Sequence, residues 1–146
     1  MIIFTIGFAQ KSAEKFFQIL KENNVECLID VRLNNVSQLA GFTKSKDLQY
    51  FLKTIVDADY IHNIKYAPTK DILDDYKKNK ISWLEYEIKY RKLIESRKIE
   101  QIFKNDIKNY NNVCLLCSEP LPQNCHRRLL AEYLKKQFNK VEVKHL

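Results

Sequence analysis

Short apolar runs alternate along the chain with longer stretches whose apolar residues recur at helical spacing. Ile2 to Ile6 is rich in β-branched residues and stops at Gly7; Cys27 to Val31 and Val113 to Cys117 are two further runs of strand length. Continuous apolar runs of this kind suit strands covered on both faces. Between the first two, Ser12 caps a predicted helix in which Ala13, Phe16, Phe17 and Leu20 follow the i, i+3, i+4, i+7 rule. A strand, an amphipathic helix and a second strand predict a βαβ unit, and hence a parallel sheet.

The pattern continues in the same style. Ser45 is expected to cap a helix that uses Leu48, Phe51, Leu52 and Ile55, and Ile64 to Ala67 to form a short strand. Pro68-Thr69 opens a helical stretch through Ile72, Leu73 and Tyr76. Ser82-Trp83-Leu84-Glu85 fits a capping box, in which hydroxyl and carboxylate each satisfy a free N–H at a helix start. Trp83, Tyr86, Tyr90, Leu93 and Ile94 form the inner stripe of the helix that follows, resumed by Ile99, Ile102 and Phe103 after a break near Arg97 or Lys98. An aromatic stripe at this spacing reads as core in preference to a base-stacking surface. Leu129, Leu130, Tyr133, Leu134 and Phe138 mark the last helix, and Val141 to His145 alternates as a half-buried last strand. The expectation is one α/β domain over residues 1–146, with a mostly parallel sheet flanked by helices in a Rossmann-like three-layer arrangement.

The chemistry concentrates where the third apolar run meets the last helix, from Cys117 to Arg128. Pro120 and Pro122 keep either element from running through. Asn124 is the expected N-cap, which puts Cys125, His126 and Arg127 in the first turn, where free N–H groups and the helix dipole favour negative charge and thiolates. At about 100° per residue, His126 falls near the centre of the apolar arc, Arg127 on its edge and Arg128 toward solvent. Ligands of open parallel sheets bind outside the carboxyl ends of the strands. Gly7, Asp30 with Arg32, and Cys117 with Glu119 all fall at such ends, and the loop holding Ser37 and Gln38 follows the second. Candidate catalytic residues are therefore Cys125, His126, Cys117, Glu119 and Asp30. Candidate substrate-binding residues are Gly7, Arg32, Arg127, Ser37 and Gln38. His62 and His145 read as surface residues.

Composition changes this picture only modestly. Apolar residues make up 45%, so the chain is globular, and a net charge of +7 implies attraction to anions: an anionic small molecule, a nucleotide or nucleic acid. Four cysteines without a signal-like or membrane-spanning segment point to a cytoplasmic protein with reduced thiols. Cys114 and Cys117 form a CxxC string, yet on a strand they face opposite ways with Cα atoms ~10 Å apart, too far for a disulfide. No glycine lies near Cys125 to build a phosphatase or rhodanese loop, although Leu28 to Arg32 by itself resembles a rhodanese strand. Cys117, Cys125 and His126, with Asp30, Glu119 or Cys114 as a fourth ligand, could hold zinc, but the spacing matches no common zinc module. Dinucleotide and P-loop motifs are absent, and no cofactor is expected.

Thr5-Ile6-Gly7, Ile29-Asp30-Val31-Arg32, and Cys117-Ser118-Glu119 followed by Cys125-His126-Arg127 together resemble the signature blocks of the domain of unknown function 488 family. The likeness extends through Ser37 to Phe42, Ala67-Pro68-Thr69 and the Trp83 to Arg97 helix, so it covers nearly the whole chain. It implies an α/β fold and names no reaction. Many members carry His-Ser after the first block's glycine, where this chain has Phe8-Ala9. Chemistry done by a histidine there would fall here to His126 or be lost. Three readings follow: an enzyme acting on a phosphate- or nucleotide-containing substrate, which is preferred; a nucleic-acid-binding module; and a structural zinc site.

Overall fold

The computed structural model describes residues 1–36 and 40–146. Five strands, β1 (Ile2–Gly7), β2 (Cys27–Asp30), β3 (Asp59–His62), β4 (Asn112–Cys117) and β5 (Glu142–His145), form one sheet in the order β3-β2-β4-β1-β5. Every pairing is parallel. The register sets Gly7 opposite Cys117 and Asp30 opposite Leu116, which brings three strand ends level at one edge.

Six helices cover the sheet: α1 (Ala13–Glu22), α2 (Ser45–Phe51), α3 (Lys70–Lys77), α4 (Trp83–Ser96), α5 (Ile99–Asp106) and α6 (His126–Gln137). The pleat of the strands sorts the core into two clusters. Phe4, Ile6, Leu28, Cys114 and Leu116 meet Phe16, Phe17 and Leu20 of α1 and Leu48 of α2. Ile3, Ile29, Leu115 and Cys117 meet Ile72, Tyr86, Tyr90, Ile94, Phe103 and Leu130 from α3 to α6. The expected three-layer α/β fold is thus present. β1 connects through α1 to β2, across β4; β4 connects through α6 to β5, across β1. The two connections leave in opposite directions, which opens a switch-point crevice at the carboxyl ends of β1 and β4.

The predicted caps and breaks hold in most places. Ser12 accepts the Lys15 N–H, the Ser82–Glu85 capping box is complete, and the break before α5 falls at Lys98, in the left-handed region with φ 51°. Two expectations differ in the elements between β2 and α3. Ser45 is the first residue of α2 and caps nothing, because the preceding Lys44 is the extended N-cap residue and the Ser45 N–H is held by the Asn35 carbonyl at 2.9 Å. Ile64 to Ala67 is no strand: residues 64–66 form a 3-10 turn capped by Asn63, and the strand lies earlier, at β3. As an edge strand, β3 lacks the apolar run that marks a central one. Tyr66 and Ala67 are apolar for another reason: they are buried beneath α4, where the Tyr90 hydroxyl donates to the Tyr66 carbonyl at 2.7 Å. No helix among the described residues is long and apolar enough to cross a membrane.

Candidate functional site

Cys117 closes β4, and Cys125 and His126 open α6, so the strand end and the helix start bring three reactive side chains together. Their sulfur and nitrogen atoms lie within 4.8 Å of one another, and all three residues are buried. The His126 Nε2 is 2.9 Å from the Val31 carbonyl, an acceptor only, so Nε2 carries the proton and Nδ1 keeps its lone pair. The Tyr86 hydroxyl approaches Nδ1 at 3.4 Å, a long contact that leaves this nitrogen weakly engaged.

Cys117 is the acidic thiol of the pair. The Cys125 thiol donates to it, the backbone N–H groups of Ser118 and Glu119 point at it, and Arg127 lies near; together these outweigh burial and hold it below the ordinary thiol range. Cys125 is pushed up, because its hydrogen is shared with Cys117 and because it is buried. This corrects the expectation for Cys125. It is not in the first turn: it is the N-cap residue, extended at φ −139° and ψ 136°, and Asn124 lies outside the helix. Its N–H goes to the Pro122 carbonyl at 3.2 Å, and its carbonyl receives the Arg128 N–H at 3.1 Å. The helix therefore begins one residue later than the capping preference of asparagine suggested.

Arg127, expected on the edge of the apolar arc, is fully buried. Its Nη1 donates to the Glu119 carbonyl at 2.6 Å and its Nη2 to the Pro120 carbonyl at 3.4 Å, so it braces the turn after Cys117. Among the described residues its Nε has no acceptor, and no carboxylate pairs with it. Gly7 serves the same turn. A Cβ there would lie 1.6 Å from the Glu119 carbonyl oxygen and 3.1 Å from Arg127 Nη1, so only glycine lets the turn pack on β1. Arg128 does not project into solvent as expected; it bridges Glu132 at 2.7 Å and Glu87 at 3.6 Å across α4 and α6.

Asp30 and Arg32 form a buried, two-pronged pair. Asp30 accepts Arg32 Nε at 2.8 Å and Nη2 at 2.7 Å, the Arg32 N–H at 3.1 Å and the Tyr60 hydroxyl at 2.7 Å. Nη2 also donates to the Thr43 carbonyl at 2.7 Å, and the guanidinium carbon stands 5.3 Å over the Phe8 ring. Phe8 thus supports Arg32. Asp30 fixes Arg32 and lies next in the chain to Val31, whose carbonyl faces His126. His62, read as a surface residue, is half-buried and lies within 2.9 Å of the Arg32 carbonyl. His145 is exposed as expected, 2.7 Å from the Thr5 hydroxyl.

A cleft of about 470 Å³ opens over the sulfur cluster. Arg32, Cys117, Glu119, Cys125 and His126 line it together; Gly7, Asp30 and Arg127 stand behind its wall, and Ser37 and Gln38 lie outside the described residues. The sequence reading missed the opposite wall, made by Lys70, Tyr76 and Lys77 of α3 and by Trp83 and Tyr86 of α4. Trp83 and Tyr86 stack at 4.9 Å between centroids, and Tyr76 packs against both. The lone tryptophan beside a capping box was the available signal, but its helical spacing is also that of core. A second hollow, about 430 Å³, lies between α1 and the chain from Phe42 to Ile55. Its largely apolar lining includes Glu14 and Lys21 but no cysteine or histidine, so the thiol chemistry belongs to the first.

The sulfur cluster fits a metal poorly. Its three ligand atoms, within 4.8 Å of one another, are joined by no fourth among the described residues, and His126 Nε2 is already engaged by the Val31 carbonyl at 2.9 Å, so the four-ligand set of a structural zinc site is incomplete.

No curated protein and no solved structure is detectably similar to this chain. A family match does exist, and it spans α1, the Asp30–Arg32 pair, the cleft and most of α6: residues 12–134 match the family described as Domain of unknown function DUF488, to which this chain belongs.

Proposed function

We propose that the chain is an enzyme that draws an anionic small molecule, phosphate-bearing and of nucleotide type, into the cleft and presents it to the Cys117 sulfur. The observation that carries this reading is a thiol biased toward thiolate at the floor of a cleft large enough for such a ligand. Lys77, and Lys70 although it pairs with Asp74 at 3.3 Å, supply positive charge for a phosphate, and the Trp83 and Tyr86 rings supply an aromatic wall for a flat base. Cys117 would act as nucleophile, and His126 Nδ1 as the group that takes or returns a proton. Arg127, Gly7 and Asp30 would position these groups without touching the ligand.

Alkylation tests it. Cys117 should react with neutral iodoacetamide at pH values below the ordinary thiol pKa of ~8.5, because a lowered pKa means that thiolate is present from a lower pH upward. Anionic iodoacetate should react faster, relative to iodoacetamide, than it does with a free thiol. Lys70→Gln with Lys77→Gln should cut that advantage roughly two- to fivefold. A Cys117 inert at every pH would remove the nucleophile, and an unchanged reagent ratio would remove the anion preference.

The net charge of +7 favours a second reading, a nucleic-acid module. It predicts that a short single-stranded oligonucleotide binds with steep salt dependence and that binding survives Cys117→Ser. Binding that ignores salt would rule it out.

A further inference from the structure

We infer that Cys117 and Cys125 work as an attacking and resolving pair, so that the cleft reduces an anionic substrate bearing a disulfide by thiol–disulfide exchange. The inference deepens the reading of Cys117 as nucleophile and rests on it.

Three observations lead there. The two sulfurs lie within 4.8 Å of each other and both border the cleft, so a group bound to one is within reach of the other. Cys125 sits at the extended N-cap position, ahead of the first turn of α6, buried with its thiol directed at Cys117. Forming an S–S bond of about 2.05 Å requires the two sulfurs to draw together from there. Third, the pair is asymmetric: one thiol is biased toward thiolate and the other, which donates its hydrogen to it, toward the thiol, which is the division of labour that exchange needs. Neither remaining cysteine can substitute. Cys114 points to the opposite face of β4, Cys27 is buried in the core, and burial pushes both thiols up.

The steps balance without an outside oxidant. The Cys117 thiolate attacks one sulfur of the substrate disulfide; that S–S bond breaks, and the leaving sulfur departs with the electron pair. Cys125 passes its proton to His126 Nδ1, whose Nε2 stays anchored on the Val31 carbonyl, and its sulfur attacks Cys117 Sγ. The second half of the substrate leaves as a thiolate, and the proton on His126 is returned to one of the two products. The substrate disulfide is reduced to two thiols while the enzyme dithiol is oxidised to Cys117–Cys125. Two equivalents of a small-molecule thiol then restore the dithiol by the reverse exchange.

Dithiobis(nitrobenzoate), an anionic aromatic disulfide whose released thiolate is coloured, is a suitable probe for the native chain. Two equivalents of coloured thiolate per chain are expected. The product should carry no probe, weigh about two mass units less, and give a Cys117–Cys125 cross-linked peptide. Cys125→Ser should release one equivalent and keep the probe on Cys117. A native chain that stops at one equivalent, with the probe retained on Cys117, would overturn the pairing while sparing the nucleophile. A native chain that releases none would overturn both. The native stoichiometry and product mass decide the matter together, two equivalents with two probes retained also overturning the pairing, so a Cys125→Ser protein that fails to fold leaves the test intact.

Discussion

Asp30→Asn is expected to lower the stability of the fold by about 3–5 kcal/mol, seen as a fall of about 10–20 °C in the unfolding midpoint. Asp30 is fully buried and Arg32 is 4% exposed, and the carboxylate accepts three bonds from Arg32 and one from Tyr60. An asparagine would leave the guanidinium charged in a dry site and turn an N–H₂ group toward donors. The cost arises mainly from the unpaired charge, so Asp30→Leu combined with Arg32→Met should be milder than Asp30→Asn alone. Differential scanning calorimetry of the three proteins checks this. A single substitution that leaves the midpoint within about 2 °C of the native protein would show that the pair contributes little. The substitution should also disturb the site, because Val31, between the two partners, holds the His126 ring.

The second large effect is expected from Gly7→Ala, at about 3 kcal/mol. The added Cβ would stand 1.6 Å from the Glu119 carbonyl oxygen and 2.6 Å from its carbon, and backbone cannot yield as a side-chain tip can. The turn after β4 must withdraw. Its bonds from Arg127 Nη1 to the Glu119 carbonyl and from the Ala9 N–H to the Ser118 carbonyl, at 2.6 and 3.0 Å, would be strained or broken. The Ser118 and Glu119 N–H groups that favour the Cys117 thiolate move with the turn. Gly7→Ala should therefore shift Cys117 alkylation to higher pH as well as lower stability, and denaturant titration with an alkylation profile reads both. Unaltered stability and an unaltered profile would mean that the turn relaxes freely and braces nothing.

Much of this architecture was legible from spacing. The runs at residues 2–6, 27–31 and 113–117 are the three central strands, and the Ser82–Glu85 motif starts a helix as its hydrogen bonds require. These features are local: a strand buried on two faces is apolar along most of its length, and a capping box satisfies groups three residues apart. The edge strand β3 escaped notice because one neighbour and partial exposure demand no such run. The wheel placed His126 correctly on the inner face, but it could not show that Arg127 is fully buried, since the acceptors of its guanidinium come from the preceding turn.

By itself the sequence determined the α/β alternation, the family and the level at which Gly7, Asp30, Arg32, Cys117 and His126 would gather, because periodicity and the direction of parallel strands set all of these. Only the tertiary structure decided which thiol is acidic, that Asp30 is spent on Arg32, and that α3 and α4 wall a cleft over Cys117. Acidity depends on the dipoles and charges within a few ångströms of an atom, and those come from residues far apart in the chain. The order of the residues sets each element; the packing of one element on another sets the field at the sulfur.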